Sequence, residues 1–263
     1  MVRRLIGSDL LKWHLAKKRK NLEIDSCDPQ YNSQNLNPLV YRQVYACLND
    51  GLDSSKFCSI LEFGARAGFL GQVLSTDFPK VVYTGVEPYP PKEGLFQIYE
   101  ETCEGFIGSP LGVKLLLKTD IIVYADVLEH LADPWSHLQA LFEFAKPETK
   151  LIISLPNFFH HSSLSLISSG EFNYEEWGVL DLTHLRFFGL ENMLQMLALT
   201  GWEVDKSSIQ PAVDPQGREI LDEFYRSNRT SWSSNKLTWR VDSEHDAMSL
   251  AAYQFVMTAN KSS

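Results

Sequence analysis

Between residues 57 and 156 the chain alternates short apolar runs with longer stretches whose apolar residues recur at helical spacing. Cys58–Phe63, Val81–Val86, Asp120–Tyr124 and Lys150–Leu155 read as buried strands, because a near-continuous apolar run of that length suits a strand covered on both faces. Strands alternating with helices predict an α/β fold: a doubly wound, mostly parallel sheet with helices on both faces and ligands at the carboxyl ends of the strands. A weaker run at Glu104–Ile107 is expected to add a further strand. Ahead of the sheet, Pro38 opens a helix with apolar positions at Leu39, Val40, Val44, Tyr45 and Leu48, ending at Asp50 and Gly51. Past residue 156 a Ser- and aromatic-rich stretch leads to a helix from Leu190 to Thr200, stopped by Gly201. Trp202–Ile209 and Leu250–Thr258 fit closing strands, and the polar residues between them carry one helix near Arg218–Arg229.

These elements suggest an N-terminal helical extension and linker over 1–50, and an α/β core over 51–210 with an insertion at about 157–189. A helical insertion or lid with a closing strand would occupy 211–263. The first twenty residues set Arg3, Arg4, Lys12, Lys17, Lys18, Arg19 and Lys20 against Asp9 alone. Leu5, Ile6, Leu10, Leu11, Trp13 and Leu15 give that segment an apolar face, so a basic amphipathic helix is expected. It could cap the core, meet a protein partner or rest on an anionic membrane surface.

Charge narrows the partners. A formal net charge of −9 over 263 residues lacks the basic field that gripping phosphate backbones requires, so nucleic acid is not expected as a partner. No apolar run is long enough to span a bilayer and no secretory segment is visible, which points to a cytoplasmic location. Cys27, Cys47, Cys58 and Cys103 are scattered without metal-ligand spacing, so reduced thiols and no metal are expected.

The most informative segment runs from Ile60 to Leu70, a strand that ends in Gly64-Ala65-Arg66-Ala67-Gly68 and opens a helix. A backbone that passes close to a nucleotide ligand has no room for a Cβ, and amides at a helix start can donate to it. The next strand delivers Glu87, where a carboxylate can accept hydrogen bonds from both ribose hydroxyls. Together these features point to an adenosine ligand. A dinucleotide fingerprint would need glycine at 66, 68 and 71, whereas Glu62-x-Gly64-x-x-x-Gly68 suits an acid-led glycine turn; each pattern loses one glycine at Arg66.

Further motifs follow in order: Gly85-Val86-Glu87-Pro88, then Asp126-Val127-Leu128-Glu129-His130-Leu131 with Asp133-Pro134. Ile153-Ser154-Leu155-Pro156-Asn157 and Asp181-Leu182-Thr183-His184-Leu185-Arg186-Phe187-Phe188 complete the set. Over about residues 58–205 the chain thereby resembles the class I S-adenosylmethionine (SAM)-dependent methyltransferases, in particular a branch associated with bacterial glycan and natural-product pathways. The resemblance implies a Rossmann-like, seven-stranded sheet, SAM as cofactor and S-adenosylhomocysteine as product. It also implies that Glu62, Gly64 and Gly68 frame the methionine end of SAM, that Glu87 holds the ribose, and that Asp126, Val127 and Leu128 line the face beside the sulfonium, with Ala65 and Pro88 in the same cofactor-binding set; Arg66, where relatives have glycine, would turn outward or pair with the SAM carboxylate. Ser109 stands where relatives place an acid that contacts adenine.

Methyl transfer from a sulfonium is an in-line displacement with an activated donor, so the protein supplies alignment and, for a hydroxyl acceptor, a base. His130, His184 and Asp126 are the leading candidates, with Glu129, His160 and His161 as alternatives. Phe158, Phe159, Phe172, Tyr174 and Trp177 could form an acceptor platform or a satellite hydrophobic cluster. The expected reaction is methylation of a hydroxyl, or in second place an amine, on a carbohydrate-like or other small molecule. The competing reading is a non-catalytic SAM-fold module that joins a glycan-assembly or membrane-associated complex through the basic helix.

Overall fold

The computed structural model describes residues 37–50, 57–90, 96–175, 178–228, 230–234 and 236–262. The basic helix expected at the N-terminus, Cys27, nearly all of the linker and Trp177 lie outside them.

Helix α1 (Pro38–Asp50) precedes β1 (Cys58–Phe63), α2 (Phe69–Asp77), β2 (Val81–Glu87) and β3 (Gln97–Glu100). Two short helices, α3 (Cys103–Gly108) and α4 (Pro110–Leu116), lead to β4 (Ile121–Ala125), α5 (Pro134–Phe144), β5 (Lys150–Pro156) and α6 (His161–Ser169). After α7 (Leu190–Leu199) come β6 (Trp202–Val204), β7 (Gln210–Val213), α8 (Pro215–Ser227), the hairpin β8 (Thr230–Ser234) and β9 (Leu237–Val241), α9 (Glu244–Ala251) and β10 (Ala252–Lys261).

The sheet runs β3-β2-β1-β4-β5-β10-β6, and β7 adds an eighth strand beside β10. β1 to β5 are mutually parallel, whereas β10 is antiparallel to β5, β6 and β7. Strand order reverses between β1 and β4, so the loops after these two strands diverge and leave a crevice at their carboxyl ends.

Alternation along the central strands divides the core into two layers. Leu61, Phe63, Ile122, Tyr124, Leu151 and Ile153 face one layer, where Trp202 and the apolar sides of α5 and α7 cover them. Ile60, Ile121, Val123 and Ile152 face the other, against Val40, Val44 and Leu48 of α1 and Leu70 and Leu74 of α2. Since successive strand residues point to opposite faces, an apolar run is what a doubly covered strand needs. A third cluster, built by Ile220, Phe224, Trp232, Val241 and Leu250, unites α8, the hairpin and α9.

Four expectations are corrected. Glu104–Ile107 lies in α3, where Cys103, Phe106 and Ile107 are buried at helical spacing and Thr102 caps the first turn through its hydroxyl, 3.0 Å from Gly105 N. The third strand is instead Gln97–Glu100, an edge strand too exposed to leave an apolar signature. Trp202–Ile209 is strand only to Val204, because the Asp205 carboxylate accepts from Ser207 N at 2.9 Å and turns the chain before β7. Leu250 and Ala251 close α9, so the last strand starts at Ala252, and the stretch assigned one helix contains a hairpin and a second helix as well.

Asn157, fully buried just past β5, ties the end of that strand to the junction of α9 and β10. Its amide donates to the Ser249 and Ala252 carbonyls at 2.7 Å each, and its oxygen accepts from Phe159 N at 3.1 Å. Asn157→Ala strands those main-chain groups in the interior and is expected to lower stability by about 2–4 kcal/mol, read from the urea midpoint at unchanged m-value.

Candidate functional site

The turn after β1 places Gly64, Arg66 and Gly68 at φ 72°, 48° and 78°, all left-handed. Glycine is required at 64 for space as well, since a Cβ there would lie 2.5 Å from Cγ2 of Val127. Arg66 takes a conformation that disfavours side chains by roughly 1–2 kcal/mol. Its main-chain N–H is held by Glu87, donating to Oε2 at 3.0 Å, while its side chain is solvent-exposed. The other oxygen of Glu87 accepts from Tyr89 N at 3.2 Å. Two amides thus fix the half-buried carboxylate at the carboxyl end of β2, beside the glycine turn.

Glu62 is buried beneath this turn and accepts a hydrogen bond from the Tyr83 hydroxyl. Burial pushes its pKa up to about 7, a rise that the Tyr83 bond opposes, the Glu87 charge adds to and the Arg66 charge opposes. Asp126, left-handed at φ 55°, is the first residue past β4. Its Oδ1 accepts from Ser154 Oγ at 2.9 Å and from Gln254 Nε2 at 2.6 Å. By surface area Asp126 is exposed, yet protein closely surrounds its carboxyl; desolvation raises the pKa, and the two hydrogen bonds, Arg66 and His184 oppose the rise.

Two separate sequence motifs form one substructure here. Glu129 O accepts from the main-chain N–H groups of Leu185 and Arg186 at 2.8 and 3.1 Å, and the Arg186 guanidinium donates to Ala132 O. His130 Nδ1 lies 3.1 Å from Thr183 O, and Asp181 Oδ1 accepts from Thr183 N at 2.7 Å. Docking of 181–188 onto 126–132 brings the His130 and His184 rings into edge contact at 4.8 Å. His184 Nδ1 sits 2.9 Å from Val179 O, and its Nε2 sits 3.8 Å from Oε1 of the buried Glu129. Phe158, Phe172, Tyr174 and Phe187 continue from His184 as a chain of ring contacts 5.2–6.4 Å apart, with Phe172 and Tyr174 exposed.

The remaining candidates divide. Ala65 is buried against Gly85, and Pro88 is half-buried after Glu87. Val127 packs over Gly64, but the side chain of Leu128 is fully buried in the core, which corrects its expected place on the cofactor face. The Ser109 hydroxyl is committed to capping α4, donating to Phe106 O at 2.8 Å and accepting from Gly112 N at 2.9 Å. His160 and His161 turn toward Asp214 rather than toward His184, and burial holds the His160 pKa down at about 4. The structure sets Tyr83, Ser154 and Gln254 against Glu62 and Asp126, a site role that the sequence motifs assign to none of them. Ser154 alone carried a signal there, as the polar residue inside an apolar strand.

The Glu62 shift has a sign that can be measured. A carboxyl whose pKa rises from 4.5 to about 7 on folding binds more protons in the folded state across that interval. Its contribution is full below pH 4.5 and is lost as pH rises through about 7. Glu62→Gln removes this loss, so its stability relative to wild type should improve between pH 5 and 8 by on the order of 1–3 kcal/mol in paired urea titrations.

A family model described as a methyltransferase domain matches residues 16–207. No curated protein matches the sequence significantly. Among solved structures, a Bacillus halodurans C-125 protein described as a methyltransferase is similar at TM-score 0.51 and 12% identity, covering 85% of this chain and 97% of that one. The YcgJ protein of Bacillus subtilis matches at TM-score 0.51 and 13% identity, covering 86% of this chain and 100% of that one. A chain from the complex of the Haloferax volcanii Trm112 methyltransferase activator with its methyltransferase matches at TM-score 0.50 and 11% identity, over 96% of this chain and 97% of that one. At these identities the structures speak for the fold, and the family match speaks for the chemistry: the chain belongs to the methyltransferase domain family and is a class I SAM-dependent methyltransferase.

Proposed function

We propose that the chain methylates a hydroxyl, or in second place an amine, on a carbohydrate-like or other small-molecule acceptor bound against the aromatic wall beside His184. The exposed rings of Phe172 and Tyr174, continuous with that histidine, carry this reading, because aromatic faces pack on sugar rings and other flat apolar ligands. The association with glycan and natural-product pathways rests on the sequence resemblance.

The residues present fit SAM. Each oxygen of Glu87 uses one acceptor position on a main-chain N–H, leaving further lone pairs for two ribose hydroxyls. Glu62, Gly64, Ala65, Arg66 and Gly68 would surround the methionine end, Pro88 would flank the ribose, and Asp126 and Val127 would stand beside the sulfonium. Ser109, its hydroxyl held by the cap, would offer adenine only a small polar surface. Bound there, SAM supplies a methyl group already activated on a sulfonium.

The chain's task is then to align the acceptor and remove its proton. A donor at Nδ1 of His130 facing Thr183 O sets the tautomer with its lone pair on Nε2, on a ring that is half-buried rather than sealed. His184, held through Val179 O and set beside buried Glu129, is the positioning residue that supports a cation on this pair. Asp126 is the alternative base, with Oδ1 engaged by Ser154 and Gln254.

Thermal-shift titration should show stabilisation by SAM and S-adenosylhomocysteine that grows with ligand concentration, with none from NAD. Glu87→Ala is expected to weaken SAM binding by roughly 1.5–3 kcal/mol by calorimetry; unchanged affinity would remove the carboxylate from the ribose site. With labelled SAM and a panel of nucleotide sugars and glycans, His130→Gln should lower kcat by ~10²–10⁴-fold while SAM affinity stays within about twofold. An unaltered kcat would pass the base role to Asp126.

A further inference from the structure

His160 caps α6 and His161 opens it, a few residues past the end of β5, and Asp214 caps α8, so the three residues come from two helix starts and not from the turns after β1 and β4. Both histidines are about 95% buried. His161 Nε2 stands 3.2 Å from each Asp214 oxygen, and His160 Nε2 stands 3.6 Å from Oδ2. The ring centroids are 3.9 Å apart, and one donor atom from each of the three residues lies within 4.8 Å of the others.

Hydrogen bonding accounts for only part of this arrangement. His160 Nε2 is sealed from solvent and has no hydrogen-bond partner, although a buried imidazole nitrogen ordinarily has one. His161 and Gly217 N, at 2.6 Å, already share the carboxylate. From these distances we propose that His160, His161 and Asp214 form a divalent zinc site. Zinc bonds of ~2.0–2.1 Å in tetrahedral geometry separate neighbouring donors by about 3.3 Å, which lies between the two spacings observed.

Two supporting contacts suit a metal ligand set. Ser162 Oγ lies 2.8 Å from His160 Nδ1, so it can orient the ring with Nε2 toward the ion, as partners of metal-bound histidine do. The Asp214 side chain is one-third exposed and provides an entry route and room for water as a fourth ligand. Two imidazoles with one carboxylate favour zinc over the oxygen-seeking calcium and magnesium. Such an ion would clamp the start of α6, at the exit of β5, to the start of α8, so it is a fastening of the acceptor-side segments rather than part of methyl transfer.

The test uses the full chain, stripped with chelator and titrated with zinc chloride by calorimetry, with bound metal counted by mass spectrometry. Asp214→Asn keeps a capping side chain at α8 but removes the carboxylate, and His161→Gln removes an imidazole. Circular dichroism verifies that both variants fold. Wild type should bind zinc and gain thermal stability; each variant should lose one equivalent or at least tenfold in affinity, and Ser162→Ala should weaken binding about 10-fold or more. Cobalt substitution should give visible bands that the variants lack. A wild-type chain that binds no zinc at micromolar concentration overturns the assignment. So does binding that survives in both variants but is lost in Glu129→Gln, which would move the ion to the Glu129, His130 and His184 cluster.

Discussion

A strand covered on both faces has no side on which a polar residue can reach water, and β1, β4 and β5 are strands of this kind. Along their length they accept apolar residues, and polar chemistry is displaced to the carboxyl ends, where the chain leaves the sheet. Asp126 and Asn157 lie just past such ends, and Glu87 closes the neighbouring β2. The reversal of strand order between β1 and β4 then opens the crevice in the place where these polar residues gather. Buried polar groups within the strands are paired: Glu62 with Tyr83, and Ser154 with Asp126.

The site is held by main-chain groups more than by side-chain pairs. Arg66 and Tyr89 amides fix Glu87, and the Glu129 carbonyl fixes the segment that carries His184. This explains how arginine can stand where a glycine would be less strained: what the turn contributes is an amide in a left-handed conformation, and any residue that tolerates the conformation supplies it. The same logic joins two motifs about fifty residues apart, for they are the two sides of one docked pair of loops.

Beyond the central sheet, a satellite core of α8, the β8–β9 hairpin and α9 packs beside α6 through Leu164. Its link to the sheet runs through Asn157, which bonds to the α9–β10 junction, and through the contact of His160 and His161 with Asp214. The segments that follow β5 are thus supported by contacts remote in sequence.

Sequence alone determined the four central strands, the helix before them, the glycine turn and the acid that ends β2, because each is a local pattern in which burial or backbone geometry restricts the residue types over a few positions. It misplaced the third strand, since an edge strand with exposed side chains has no apolar signature, and it read α3 as strand because its apolar residues were close together. Only the tertiary structure decided that Leu128 turns into the core, that Ser109 is used as a cap, that Tyr83 and Gln254 serve Glu62 and Asp126, and that His161 meets a carboxylate 53 residues away. Those pairings depend on which strands lie side by side and on how loops dock, and such long-range adjacency leaves no periodicity in the chain from which to read it.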